Sequence, residues 1–309
     1  MKQSYLIKQF DQPVSPIAFG TTKAGSAWDG AAADRLLNAW LDQGGNLVDT
    51  ARVYTQGESE RVLGDFFHRS GRRHEVVLLS KGGHPPSGAK HISRMSQQEM
   101  AYDLHTSLRT LQTDHIDIYF YHRDDVSRPV GELLECMESF RKAGKIRHYA
   151  CSNWTTARMQ EADAYAREHG LPGFIGNQAL YNIGARHMLP PRDVTMLVAD
   201  PAMLDYHRHS SNTLMPYSGV CNGFFHMLAA KGPQAVADSV YCTPGNLALA
   251  RRMDELCRKY NASITQIMLG FFLVQDVPMI PLVTASTVEH LAEIAQTPDI
   301  AFDRADFAF

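Results

Sequence analysis

A carboxylate, a phenol, an ammonium and an imidazole each stand at or just past the end of a short apolar run. Asp49 follows Leu47-Val48, and Tyr54 lies five residues further on. Lys81 ends the run Val76-Val77-Leu78-Leu79-Ser80, and His122 ends Ile116-Asp117-Ile118-Tyr119-Phe120-Tyr121. An apolar run that ends in a reactive side chain is the pattern of a buried parallel strand whose carboxyl end opens on a site. A phenol with a pKa of about 10 is a weak acid at neutral pH. A nearby ammonium lowers that pKa, and a carboxylate can hold the ammonium in place. Together the four groups read as a proton donor to a carbonyl oxygen. That is half of a carbonyl reduction; the other half is a hydride, which a cofactor must supply.

The elements that would position these groups alternate along the chain. Ala33, Leu36, Leu37, Trp40 and Leu41 recur at helical spacing, and Gly44-Gly45 ends that helix. Strands are expected at 46–49, 76–81, 116–122, 146–152, 174–178, 214–218 and 279–283, with a short one near 195–198. Helical periodicity marks the segments between the earlier strands, and again 247–260 and 264–274. Repeated strand–helix units without a break in composition predict one closed parallel barrel of the (β/α)8 TIM class, a single domain over 1–309. A doubly wound sheet is the alternative, but no Gly-x-Gly-x-x-Gly follows the first strand. Polar loops at 82–96, 184–193 and 231–246 should lie on the catalytic face, and the last of these could act as a lid.

Composition excludes several other classes. The 309 residues carry a net charge of -3, so no basic excess points to nucleic acid or an anionic membrane. No N-terminal apolar signal core is present, and the longest apolar stretch, 267–274, is too short to span a bilayer. Five cysteines without a Cys-x-x-Cys pair fit reduced thiols, and the expected location is the cytoplasm. The histidines, His207 and His209 among them, form no persuasive ligand set, so no metal is expected.

The segment 47–54, Leu-Val-Asp-Thr-Ala-Arg-Val-Tyr, is followed by Gly57-Glu58-Ser59-Glu60-Arg61-Val62-Leu63-Gly64. With Leu79-Ser80-Lys81, the strand ending at His122, and Gly144-Lys145-Ile146-Arg147 leading to Ser152-Asn153-Trp154, it resembles the signature of the aldo-keto reductases. The resemblance implies a barrel that binds a nicotinamide dinucleotide, NADPH or NADH, without a Rossmann domain. It implies Tyr54 as general acid, Lys81 and Asp49 as the pair that tunes it, and His122 as the group that orients the carbonyl. It further implies Ser152, Asn153 and Gln178 at the nicotinamide carboxamide and Tyr217 stacked on the ring. Gly20, Thr21 and Thr22 would lie near the ribose, and Ser218, Gly219 and Val220 near the pyrophosphate.

The sequence also departs from the family pattern. The segment that usually carries a basic grip on the 2′-phosphate of NADPH reads Ile280-Pro281-Leu282-Val283-Thr284-Ala285-Ser286-Thr287. Thr284, Ser286 and Thr287 can donate hydrogen bonds but cannot neutralise a dianion, so a weakened NADPH preference with NADH competing is expected. Thr55 and Ala150 stand where the family commonly has glycine. Arg123-Asp124-Asp125 follow His122, either to bind a polyhydroxylated substrate at the pocket mouth or as a local ion pair. Trp28, Tyr102 and Trp154 are further pocket candidates. The leading expectation is a reductase of an aldehyde or ketone, sugar-derived carbonyls included. A slow-turnover nicotinamide-binding regulatory subunit and a Lys81 Schiff-base aldolase are the competitors.

Overall fold

The computed structural model describes the whole chain except residues 2–4, 8, 9, 11, 87, 211 and 309. Ser87, in the expected 82–96 loop, therefore lies outside the described residues, as does Ser211. Eight parallel strands form one sheet: β1 Ala18–Gly20, β2 Leu47–Asp49, β3 Val77–Gly82, β4 Ile116–Tyr121, β5 Ile146–Ser152, β6 Gly176–Gln178, β7 Thr213–Leu214 and β8 Leu282–Val283. From β1 to β7 each strand pairs with the next, and β1 also pairs with β8. A parallel bridge between Leu214 and Met279, just ahead of β8, closes the ring. The expected barrel is therefore the fold, and the doubly wound alternative falls.

Among the described residues ten α-helices accompany the strands: α1 Gly30–Asp42, α2 Glu58–Ser70, α3 Gln97–Thr110, α4 Val130–Lys142, α5 Thr156–His169, α6 Pro201–His209, α7 Phe224–Lys231, α8 Pro244–Tyr260, α9 Ile264–Leu273 and α10 Val288–Gln296. Their starts are set locally. Ser96 and Glu99 form a capping box on α3, and Ser263 and Gln266 form one on α9. Both faces of the sheet are buried. Leu47, Val77, Leu79, Ile118, Phe120 and Ala150 fill the barrel interior with Ile7, Phe10 and Val14, while Val48, Leu78, Tyr119 and Tyr121 pack outward against helices. This explains why the strands read as continuous apolar runs.

Three expectations change. The segment 195–198 forms no strand; Val198 makes only a single bridge to Leu180. The strands expected at 214–218 and 279–283 shorten to two residues each, because Pro216 and Pro281 cannot donate to a ladder. The segment 231–246 is not a free lid. It carries a 3-10 turn at Pro233–Val236, buries Val236 and Tyr241, and Val240 accepts from Leu189 N.

Candidate active site

Asp49 is the last residue of β2, Lys81 is next to last in β3, and His122 follows β4. Tyr54 opens a 3-10 turn beyond β2. The parallel register therefore delivers all four to the carboxyl end of the barrel. Lys81 Nζ lies 2.7 Å from both carboxylate oxygens of Asp49, 2.7 Å from Thr50 O and 3.2 Å from the Tyr54 hydroxyl. The Tyr54 and His122 rings meet edge-on with centroids 5.7 Å apart. Asp49, Tyr54 and His122 line a cavity of about 680 Å³.

Burial pushes the Tyr54 phenol above its ordinary value; Lys81 pulls it down, but less. The expected lowering by the ammonium is thus outweighed in this structure, and Tyr54 keeps its proton at neutral pH. Burial also pulls Lys81 down, yet the charge on Asp49 and the contacts with Asp49 and Tyr54 outweigh it and hold the ammonium above its usual range. Burial pushes the Asp49 carboxyl up against the pull of Lys81 and Gln178. His122 is held well below the usual imidazole value by burial, then by Lys81 and Arg123, so it is neutral at pH 7. Its Nδ1 is buried and finds no partner among the described residues.

The residues expected around a cofactor divide into two groups. Gly20, Thr22, Ser152, Asn153, Gln178, Tyr217, Ser218, Gly219, Val220 and Thr284 line the same cavity. Positive φ at Ser218, Cys221, Asn222 and Gly223 curls the chain into the N-terminus of α7. Thr21 is turned away: its Oγ1 donates to Asp49 O at 2.9 Å and meets Ser59 Oγ at 2.7 Å, bracing the end of β2. Ser286 and Thr287 leave the main cavity for an adjoining one shared with Arg35. Thr287 Oγ1 is spent capping α10, accepting from His290 N at 3.2 Å.

The carboxamide candidates are already knitted together. Gln178 Nε2 donates to Asp49 Oδ1 at 2.8 Å. Asn153 Oδ1 accepts from the Tyr217 hydroxyl at 2.7 Å and Leu197 N at 3.0 Å, and its Nδ2 donates to Ser152 Oγ and His122 O. What remains toward the cavity is the Gln178 carbonyl oxygen and the Tyr217 ring.

Trp28 and Trp154 are core residues, 4% and 0% exposed, and Tyr102 is 63% exposed; none lines the main cavity. The 123–125 segment divides between the two expected readings. Arg123 turns into the cavity, while Asp124 pairs with Arg158 at 3.2 Å and Asp125 with Arg128 at 3.3 Å. Thr55 explains the family glycine: its φ is +47°, in the left-handed region that β-branched residues avoid. Its Oγ1 offsets part of that strain by donating to Ala24 O at 2.7 Å. Ala150 is fully buried in the barrel interior among Ile118, Phe120 and Ile175, and the structure gives no reason for alanine over glycine there.

Sequence reading missed Lys23, His226 and His290, which all line the cavity. Lys23 Nζ donates to Ser286 Oγ at 3.4 Å, so a cation reaches the uncharged segment from the loop after β1. Its place directly after Gly20-Thr21-Thr22 was the available signal. His226 and His290 flank Thr265 Oγ1 at 2.9 and 3.3 Å, and no spacing in the sequence announces that.

Among the described residues no group of three or more His, Cys, Asp or Glu could hold a metal ion, and no helix is long and apolar enough to cross a membrane. The model of the Aldo/keto reductase family matches residues 16–308. An aryl-alcohol dehydrogenase of Pestalotiopsis microspora is 26% identical over 297 residues, spanning 90% of this chain and 73% of that one. The aldo-keto reductase YhdN of Bacillus subtilis is 30% identical over 213 residues, 68% of this chain and 59% of that one. An aldo-keto reductase from Klebsiella pneumoniae, solved in complex with NADPH, superposes with a TM-score of 0.72 at 23% identity, covering 100% of this chain and 93% of that chain.

Proposed function

The chain belongs to the aldo/keto reductase family, and from that premise we propose that it reduces an aldehyde or ketone to an alcohol with NADPH. The observation that carries the reading is Tyr54: a protonated phenol on the cavity wall, 3.2 Å from a buried ammonium. In this reading Tyr54 donates its proton to the carbonyl oxygen, and the ammonium of Lys81 stabilises the phenolate left behind. Asp49 fixes Lys81, and Gln178 fixes Asp49. Neutral His122 hydrogen-bonds the carbonyl oxygen and orients it without competing for the proton.

The cavity fits a nicotinamide dinucleotide. The Gln178 carbonyl oxygen can accept from a carboxamide, the Tyr217 ring offers a stacking face, and the curled 218–223 loop at the N-terminus of α7 suits a pyrophosphate. When bound, the nicotinamide supplies the hydride. The Klebsiella pneumoniae neighbour was solved in complex with NADPH, and Lys23 beside Ser286 supports the same choice here. The whole chain works as one barrel unit, with a small carbonyl compound as its partner.

The Schiff-base reading is opposed by the Lys81 amine, which is 1% exposed with every N–H directed at Asp49, Thr50 or Tyr54. The test is fluorescence titration of cofactor-free protein with NADPH and NADH, followed by turnover of a panel of aldehydes. Saturable quenching with substrate-dependent oxidation supports the reading. Quenching without turnover of any aldehyde would favour the regulatory-subunit alternative.

A further inference from the structure

Arg123 follows His122 directly and lines the same cavity, with its side chain only 11% exposed. Two hydrogen bonds fix the guanidinium: Nε donates to Thr195 Oγ1 at 2.8 Å and Nη1 to His122 O at 2.8 Å. A guanidinium has five N–H donors, and among the described residues Nη2 finds no hydrogen-bond partner. Its nearest acid is Asp193, at 3.6 Å. That carboxylate is already engaged, accepting from Lys90 Nζ at 3.0 Å and from the Thr195 hydroxyl and backbone amide. The neighbouring acids Asp124 and Asp125 are held away by Arg158 and Arg128.

The charges around this end of the cavity therefore do not cancel. Lys81 and Asp49 form a closed pair. Arg123 and Lys90 share the single carboxylate of Asp193. His84 sits edge-on to His122 with ring centroids 4.7 Å apart, and its Nε2 lies 3.5 Å from Lys90 Nζ. Burial, then Arg123, hold His84 down to about 4, so it adds no charge at pH 7. One positive charge is left over, on a largely desolvated group that costs free energy until an anion reaches it.

We propose that Arg123 is the specificity-determining residue of the cavity and that the carbonyl substrate carries a carboxylate, which pairs with the free edge of the guanidinium. This deepens the reductase reading and rests on it. A planar carboxylate matches the fork geometry of the Nη groups. The polyhydroxylated substrate expected from the sequence would hydrogen-bond there but leave the charge unpaired.

The test compares 3- and 4-carboxybenzaldehyde with 3- and 4-formylbenzamide in NADPH-dependent reduction by the full chain, as wild type, Arg123→Gln and Arg123→Lys. The readout is the ratio of KM for the amide to KM for the acid. In wild type we expect it to reach about tenfold for at least one pair. It should fall to about one in Arg123→Gln and be partly retained in Arg123→Lys. A wild-type ratio near one, or a ratio that survives Arg123→Gln, overturns the proposal and leaves the reductase reading standing. If wild type turns over none of the four, the reductase reading fails instead, and calorimetric titration with benzoate reads Arg123 directly. Binding lost in Arg123→Gln but kept in Tyr54→Phe supports the anion site; equal binding in wild type and Arg123→Gln overturns it.

Discussion

Gln178 donates to Asp49 across the barrel, Nε2 to Oδ1 at 2.8 Å, and the same oxygen accepts from Lys81 at 2.7 Å. The ends of β2, β3 and β6 thus converge on one buried carboxylate. Asp49 is 1% exposed, so the bonds hold without competition from bulk water.

Asp49→Asn should therefore cost stability as well as activity. Asparagine has nearly the same shape but brings no charge, and it leaves Lys81 buried without a counter-ion. Losing one partner of a buried ion pair typically costs about 3–5 kcal/mol. Urea unfolding should show a loss of unfolding free energy of that size, read as a lower midpoint at unchanged slope. A midpoint close to that of wild type would mean that Lys81 is stabilised by Thr50 O and Tyr54 alone.

The pH dependence of carbonyl reduction follows from Tyr54 and His122. Tyr54 must be protonated, and burial holds its pKa above the ordinary value of 10.0. The acid form is thus complete at neutral pH and is lost only as pH rises through that elevated value. His122 is depressed below 6.5, so it stays neutral across the neutral range. At saturating cofactor, kcat/KM should be flat from about pH 6 to 9 and fall above about 10. A limb near pH 7 that disappears in His122→Asn would contradict this assignment.

Cofactor choice turns on Lys23. The ammonium is exposed, and its contact with Ser286 is 3.4 Å, so its contribution to a phosphate should be modest. Lys23→Ala should weaken NADPH binding by roughly three- to tenfold, with a smaller change for NADH. Rising salt should weaken NADPH binding more in wild type than in the variant. Equal losses for both dinucleotides would place Lys23 away from the 2′-phosphate.

Asp49, Lys81 and His122 were legible in the sequence because strands are short apolar runs and their carboxyl ends are fixed points. Once β2, β3 and β4 are recognised, every second side chain at those ends faces the open mouth of a closed barrel. Loop residues were legible in type but not in direction. Thr21 and Thr22 are adjacent and chemically identical, yet one braces Asp49 and the other lines the cavity. The fate of Asp124 depends on Arg158, 34 residues away on α5. Thr287 looked like a phosphate ligand because a helix cap and an anion site call for the same hydroxyl. The strain at Thr55 lives in a φ angle, for which the identity of one residue gives no measure.

The central claim is that Tyr54 gives its proton to the substrate. The most direct measurement pairs turnover of an aldehyde with NADPH titration in wild type and Tyr54→Phe. Phenylalanine removes the hydroxyl and keeps the ring, so quenching by NADPH should be unchanged. The rate should fall by about 10²- to 10⁴-fold, the usual worth of a positioned general acid. A Tyr54→Phe protein that retains more than about half the wild-type rate would remove Tyr54 from the chemistry and transfer the proton to another group.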